Sequence, residues 1–231
     1  MGKIFSYSGG YDSTWMVYDY LINQENNSID CITFSCDLFS IEKQAEERKR
    51  QYKFIEYMKT KGKVVNIKTI RIDFNRCRPN GNTTQQAALM IPMLAMVSSD
   101  EEEINLGIIK GDDFWYDKHL HESVLKSLSD LLKKKLTLVY PLIGIKKYDI
   151  IDAIVKNDLE QFVWTCENPT NNKVDFRECG YCVPCNNKTE AKYILKMKSE
   201  EYKNNPLDIE VKEKYKIDDE NVKDVGVVEN G

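Results

Sequence analysis

The run of residues with the most chemical content lies near the amino terminus: Ser8-Gly9-Gly10-Tyr11-Asp12-Ser13-Thr14. Two successive glycines let a backbone turn sharply and approach a ligand with no Cβ in the way. The peptide N–H groups of such a turn, with a following helix N-terminus, converge on one spot and favour an anion. The hydroxyls of Ser8, Ser13 and Thr14 add donors for phosphate oxygens. Asp12 is out of place in a pure anion site but fits one where Mg²⁺ accompanies the phosphate, since hard cations take oxygen ligands. A plain β-turn followed by an N-cap serine also explains Ser-Gly-Gly. Its place directly after the first expected strand favours the ligand reading, because open α/β sheets bind ligands in that crevice. The sequence contains neither G-x-x-x-x-G-K-[ST] nor G-x-G-x-x-G. The expected site is therefore a pyrophosphate cradle, not a γ-phosphate loop.

A second pattern is Cys166-x₁₂-Cys179-x₂-Cys182-x₂-Cys185, with Gly180 and Pro184 expected to force tight turns between the sulfurs. Four thiolates at these spacings can close a tetrahedral Zn²⁺ site with no open position, which makes the metal structural. Iron–sulfur ligation and a pair of redox CxxC motifs are the competing readings. Of the other cysteines, Cys31 and Cys36 fall in an expected strand and read as small buried hydrophobes, while Cys77 has no partner pattern. Asp112 and Asp113 follow a strand, where ligand residues collect, although turn-forming acids explain them equally well. His119 and His121, two apart on a helix, cannot share a ligand. Met90, Met93 and Met96 have core spacing, and Lys133-Lys134-Lys135 is expected to end its own helix.

These groups need a frame. Lys3–Tyr7 reads as a strand and Ser13–Ile22 as a helix. The β-branched run Ile29–Cys36 is a second strand, and Glu42–Lys61 a charged amphipathic helix stopped by Gly62. Val64–Ile72 is a strand, Gln85–Val97 a helix carrying Pro92, and Ile104–Ile109 a strand. His119–Lys135, Leu136–Tyr140, Lys147–Lys156 and Thr189–Lys198 follow as helix, strand, helix and helix. The alternation predicts an α/β fold with a doubly wound parallel sheet. Three regions are expected: a nucleotide-binding domain over 1–160, a zinc-binding segment with a helix over 161–199, and an acidic tail over 200–231.

Composition narrows the function classes. The 231 residues include 42% hydrophobic and 30% charged residues and carry a net charge of −4. That is ordinary for a soluble globular chain and wrong for a general nucleic-acid binder. The longest nearly unbroken apolar run, Ala87–Val97, falls well short of the ~20 residues a bilayer span requires. No secretory signal or membrane association is expected, and a cytoplasmic setting is. Two histidines argue against His-rich metal sites and most His-dependent catalysis.

In combination, the Ser-Gly-Gly-x-Asp-Ser turn and the late Cys-Gly-x-Cys-x-x-Cys cluster resemble the 7-cyano-7-deazaguanine synthase family of PP-loop ATP pyrophosphatases. The likeness spans roughly residues 3 to 190. Tyr140-Pro141-Leu142 followed by Lys147 is similar to the family's Pro-Leu…Lys segment, and Trp164-Thr165-Cys166 to its Thr-Cys lead-in to the metal site. Gly107, Asp112 and Tyr116 fall where the family has a Gly…Asp…Tyr pattern. Asp117-Lys118-His119-Leu120 stands where the family has Pro-Asp-Cys-Arg, and Arg78-Pro79-Asn80-Gly81-Asn82 replaces its Pro-Gly-Arg-Asn loop.

The resemblance implies an adenine-nucleotide α-hydrolase-like fold. It implies an AMP-forming ligase that adenylates the carboxylate of 7-carboxy-7-deazaguanine and couples it to ammonia, giving an amide and then a nitrile. Ser8, Asp12, Ser13 and Lys147 are the expected catalytic residues. Ser8, Gly9, Gly10, Asp12, Ser13, Thr14, Phe34 and Cys36 are expected to bind ATP, with backbone groups of Phe34 to Cys36 at the end of the second strand expected at the adenine edge. Arg78, Asp112 and Tyr116 are expected at the substrate, and Cys166, Cys179, Cys182 and Cys185 at Zn²⁺. ATP and Mg²⁺ complete the cofactors, and a homodimer is expected. Three alternatives stay open: an amide ligase joining the carboxylate to an amine on a protein or other partner, a tRNA base thiolase, and a non-enzymatic nucleotide-binding subunit.

Overall fold

Parallel pairing sets the frame. The computed structural model describes residues 2–36, 40–72, 86–110, 113–171 and 176–198. Strands β1 (Gly2–Ser6), β2 (Ser28–Cys36), β3 (Val64–Ile72), β4 (Glu101–Asn105) and β5 (Lys135–Val139) form one sheet in the order β3-β2-β1-β4-β5. Every neighbouring pair is parallel. Helices α1 (Tyr11–Tyr18), α2 (Ile41–Thr60), α3 (Gln86–Val97), α4 (Asp113–Tyr116), α5 (Lys118–Leu132), α6 (Lys147–Lys156) and α7 (Val183–Lys198) connect or follow the strands. A short antiparallel pair, β6 (Thr170–Asn171) with β7 (Phe176–Arg177), lies between the first and second cysteines of the late cluster. The doubly wound parallel sheet expected from the sequence is therefore present.

The two-residue side-chain period of the strands feeds two cores. Phe5, Ile29 and Cys31 turn to one face and pack with Met16, Phe54 and Ile150 from α1, α2 and α6. Ile4, Ile32, Ile104 and Leu138 turn to the other and pack with Leu94 and Leu125 from α3 and α5. Each such side chain removed from water contributes about 1.5–3 kcal/mol. Phe162, Val163 and Ala191 join the first core, so the segment after residue 160 shares its packing with α1 and α6.

Several boundaries differ from the sequence expectation. β4 begins at Glu101, not Ile104, and residues 106–109 leave the sheet as buried irregular chain. Lys3 and Lys135 on the flanking strands pair with Glu103 at 3.3 Å and Glu101 at 2.5 Å, which lets a run of glutamates form a strand. Helix α7 starts at Val183, six residues early. Pro184 is tolerated there because a first-turn residue has no N–H bond to lose. α5 stops at Leu132 with Lys133 left-handed at φ 57°. Lys134 does not serve its own helix; its ammonium donates to the carbonyls of Ala95, Met96 and Ser98 at the end of α3.

Strand order reverses at β1, since the chain runs outward through β2 and β3 and returns by α3 to β4 on the other side. A crevice opens outside the carboxyl ends of β1 and β4, and this is where such sheets bind ligands.

Candidate functional site

The turn after β1 occupies that crevice. Gly9 is left-handed at φ 84°, and Gly10 stands in the N-cap position of α1. The Ser8 and Gly9 N–H groups both donate to Ser13 Oγ at 3.2 Å, and the Ser8 and Ser13 hydroxyls meet at 3.0 Å. Donors thus close on a single point, the geometry an anion would use. The turn's carbonyls are fixed from behind. Gln51 Nε2 donates to Ser8 O and to Thr33 Oγ1, and Trp164 N donates to Gly9 O at 3.0 Å. From β4's exit, Gly107 abuts the first turn of α1. A Cβ there would stand 3.2 Å from Ser13 N and 3.3 Å from Asp12 C.

Asp12, half-buried in that first turn, forms an ion pair with Lys147 at the start of α6. Lys147 is bonded to Oδ2, and Oδ1 is buried with no hydrogen-bond partner. An orphaned carboxylate oxygen beside that turn fits Mg²⁺. The four sequence-expected catalytic residues, Ser8, Asp12, Ser13 and Lys147, line one cavity of about 460 Å³. That is within the range of small-ligand sites, about 300–1,000 Å³. On the α3 side its lining is apolar: Phe34, Ile72, Met90, Leu106, Ile108 and Phe114. Phe34 is where the sequence reading put it, at the end of β2.

Other expected residues fall differently. Thr14 is fully buried beneath the turn, and neither it nor Gly9 belongs to the cavity lining. Tyr116 is 70% exposed and outside the lining; Phe114 of the same short helix is inside it. Cys36 ends β2 in register with Ile72, and its side chain lies outside the described residues. Arg78 and Asp112 also lie outside the described residues.

The sequence reading missed the polar wall. Lys43 and Glu47 of α2 line the cavity and pair at 3.4 Å. Burial pushes the Glu47 carboxyl up, Lys43 opposes this, and Glu167 across the cavity adds to it. Their spacing carries only part of a signal: Lys43, Glu47, Gln51, Phe54 and Met58 follow the i, i+4, i+8, i+11, i+15 pattern of a single helix face, which marks an inward side but not a cavity wall. Its first half is polar because it borders the cavity instead of the core.

The four late cysteines meet, with Sγ atoms all within 4.8 Å of one another. A tetrahedral zinc with Zn–S near 2.3 Å places its sulfurs about 3.8 Å apart, so the set fits such an ion. Cys179 N donates to Cys166 Sγ at 3.2 Å and Cys182 N to Cys179 Sγ at 3.3 Å, bonds that favour thiolate. Burial raises the Cys166 and Cys185 thiols. Burial also acts to raise Cys179, but N–H donors from Tyr181 and Cys182 and the neighbouring thiols bring it down to about 7. Among the described residues this is the one group of three or more such side chains placed to share a metal.

Fold and site define a class: an open parallel α/β protein with a serine–glycine turn at its switch point and a cluster of four cysteines beside the cavity. No protein-family model matches the chain, and no curated protein matches it. Two solved structures are similar to it in fold. One is a U34-tRNA thiolase from Methanococcus maripaludis with its [4Fe-4S] cluster, at 15% identity and TM-score 0.48, covering 99% of this chain and 74% of that one. The other is a predicted subunit of a tRNA methyltransferase from Methanocaldococcus jannaschii, at 14% identity and TM-score 0.39, covering 78% of this chain and 97% of that one. No helix among the described residues is long and apolar enough to cross a membrane.

Proposed function

We propose that the chain is a PP-loop-type, ATP-dependent, AMP-forming C–N ligase that activates a deazapurine carboxylate and passes it to ammonia. The observation that carries this reading is the Asp12–Lys147 ion pair beside the serine–glycine turn, inside one cavity with an apolar half. The apolar half suits flat heteroaromatic rings, and the turn suits a polyphosphate. A substrate carboxylate oxygen attacks the α-phosphorus, the bond to the β-phosphate bridge breaks, and pyrophosphate leaves. The N–H groups of Ser8 and Gly9, which converge on Ser13 Oγ in the free turn, and the Ser13 hydroxyl are the donors that would turn to that leaving charge. Lys147 adds a positive charge, and Asp12 holds that lysine in place. Asp12 Oδ1 would hold Mg²⁺, whose chemistry is to neutralise the departing phosphates. Ammonia then attacks the acyl carbon, AMP leaves and a proton is lost. The amide oxygen then attacks the α-phosphorus of a second ATP, pyrophosphate leaves, and elimination of AMP, which carries that oxygen away, with loss of two protons yields the nitrile. Positioning and charge stabilisation suffice, so no protein nucleophile is required. The cysteines would hold zinc with every coordination position filled, in a structural role.

A second reading keeps the adenylate and replaces ammonia with an amine carried by a partner. Its support is the pair of carboxylates, Glu47 and Glu167, on the cavity wall, which suits a cationic amine.

Incubation with ATP, 7-carboxy-7-deazaguanine and ammonia, read by mass spectrometry, is expected to give AMP, pyrophosphate and the amide or nitrile. Asp12→Asn and Lys147→Met are expected to stop pyrophosphate release while leaving the circular dichroism unchanged. ADP as product, or full turnover in Asp12→Asn, would remove the reading. ATP binding with no pyrophosphate release would favour a nucleotide-binding subunit.

A further inference from the structure

The cysteine centre and the cradle are joined by four consecutive residues. Cys166 is one of the four clustered cysteines. Two positions earlier, the Trp164 backbone N–H holds the Gly9 carbonyl at 3.0 Å, and Gly9 is the left-handed residue on which the turn depends. Trp164 cannot shift freely. The residue is 3% exposed, its Nε1 donates to Cys166 O at 3.1 Å, and the Arg50 guanidinium lies 5.8 Å from its ring centroid. Thr165 and Glu167, on either side of Cys166, line the cavity. So do Pro184, just before Cys185, and Asn187, two residues after it. The Thr165 methyl would stand 3.6 Å from a Cβ on Gly10, which places it against the turn itself.

From this we infer that metal bound by the four cysteines is a positioning element of the nucleotide cradle, acting through Trp164 and Thr165, so that metal and nucleotide strengthen each other's binding. The inference rests on the reading that the cradle takes ATP. Such coupling is reciprocal by thermodynamic necessity, and coupled sites differ by about 5- to 150-fold.

Three measurements on the full chain test it. ATP titrated calorimetrically into zinc-loaded chain and into metal-stripped chain that keeps its circular dichroism is expected to bind at least about 5-fold more weakly without metal. Competition for zinc by a chromophoric chelator is expected to need more chelator, by the same factor, when ATP is saturating. Trp164→Phe, which removes the indole N–H but none of the cysteines, is expected to retain one zinc per chain and bind ATP about 2- to 10-fold more weakly, as for one lost hydrogen bond. Zinc competition that is identical with and without ATP overturns the inference, and this arm decides even if stripped chain unfolds. Zinc-loaded chain that binds no ATP at all instead overturns the underlying reading of the cradle.

Discussion

Replacing Gly107 by alanine tests whether the cradle is held by backbone contact. The new Cβ would stand 3.2 Å from Ser13 N, 3.3 Å from Asp12 C and 3.3 Å from Ser13 Cα. All three are backbone atoms in the first turn of α1, so no side-chain rotation relieves the crowding. Either β4's exit loop or the start of α1 must move by a few tenths of an ångström. Overpacking of this kind costs about 1–3 kcal/mol. For a chain of this size each kcal/mol lowers Tm by about 2–4 °C, giving an expected fall of about 2–12 °C. Gly144 is the control, because nothing lies within 4 Å of its ideal Cβ. Gly144→Ala is expected to leave Tm unchanged or raise it, since alanine restricts the unfolded chain. Pyrophosphate release should fall on the order of tenfold in Gly107→Ala, because α1 carries Asp12 and Ser13 and small displacements at a reacting centre are costly. A Gly107→Ala chain with wild-type Tm and wild-type pyrophosphate release would refute the argument that this glycine exists for close approach.

Two further outcomes follow from the electrostatics. Burial holds the Glu47 carboxyl above its ordinary value of 4.5, so the folded chain binds that proton more tightly than the unfolded one. Stability contributed by the protonated form is then lost as pH rises above about that value. The Tm of Glu47→Gln minus that of wild type is expected to be smallest at pH 4 and to grow toward pH 7; a difference independent of pH would contradict the placement of Glu47. Lys134→Met removes three hydrogen bonds at the end of α3, to Ala95, Met96 and Ser98 at 3.2, 3.2 and 2.6 Å. Loss of one charged donor there is expected to cost about 1.5–3 kcal/mol in a denaturant titration. An unchanged midpoint would mean those carbonyls are served by water.

Elements whose residues carry their own periodicity were legible without a structure. β3 runs from Val64 to Ile72 and α6 from Lys147 to Lys156, as their patterns predict. β4 was not, because Glu101-Glu102-Glu103 reads as solvated chain until lysines on both neighbouring strands supply its partners. The start of α7 was hidden by Pro184, which marks a turn in one context and a first helical turn in another. Short-range spacing singled out Ser8, Asp12, Ser13 and the four cysteines, which the structure brings to one cavity and one cluster. Lys43 and Glu47 did not, because a charged face on a helix looks the same whether water or a cavity lies beside it.

The chain's own order of residues determined the parallel α/β class, the glycine turn after the first strand and the four-thiol set, since each depends on local spacing alone. Only the folded packing decided that Lys147, 135 residues away, pairs with Asp12, and that Trp164 ties the cysteine centre to Gly9. It also decided that Thr14 is buried and that Lys134 serves another helix. Contacts between distant segments depend on how the two cores place α1, α3 and α6 around the sheet, and no local pattern encodes that.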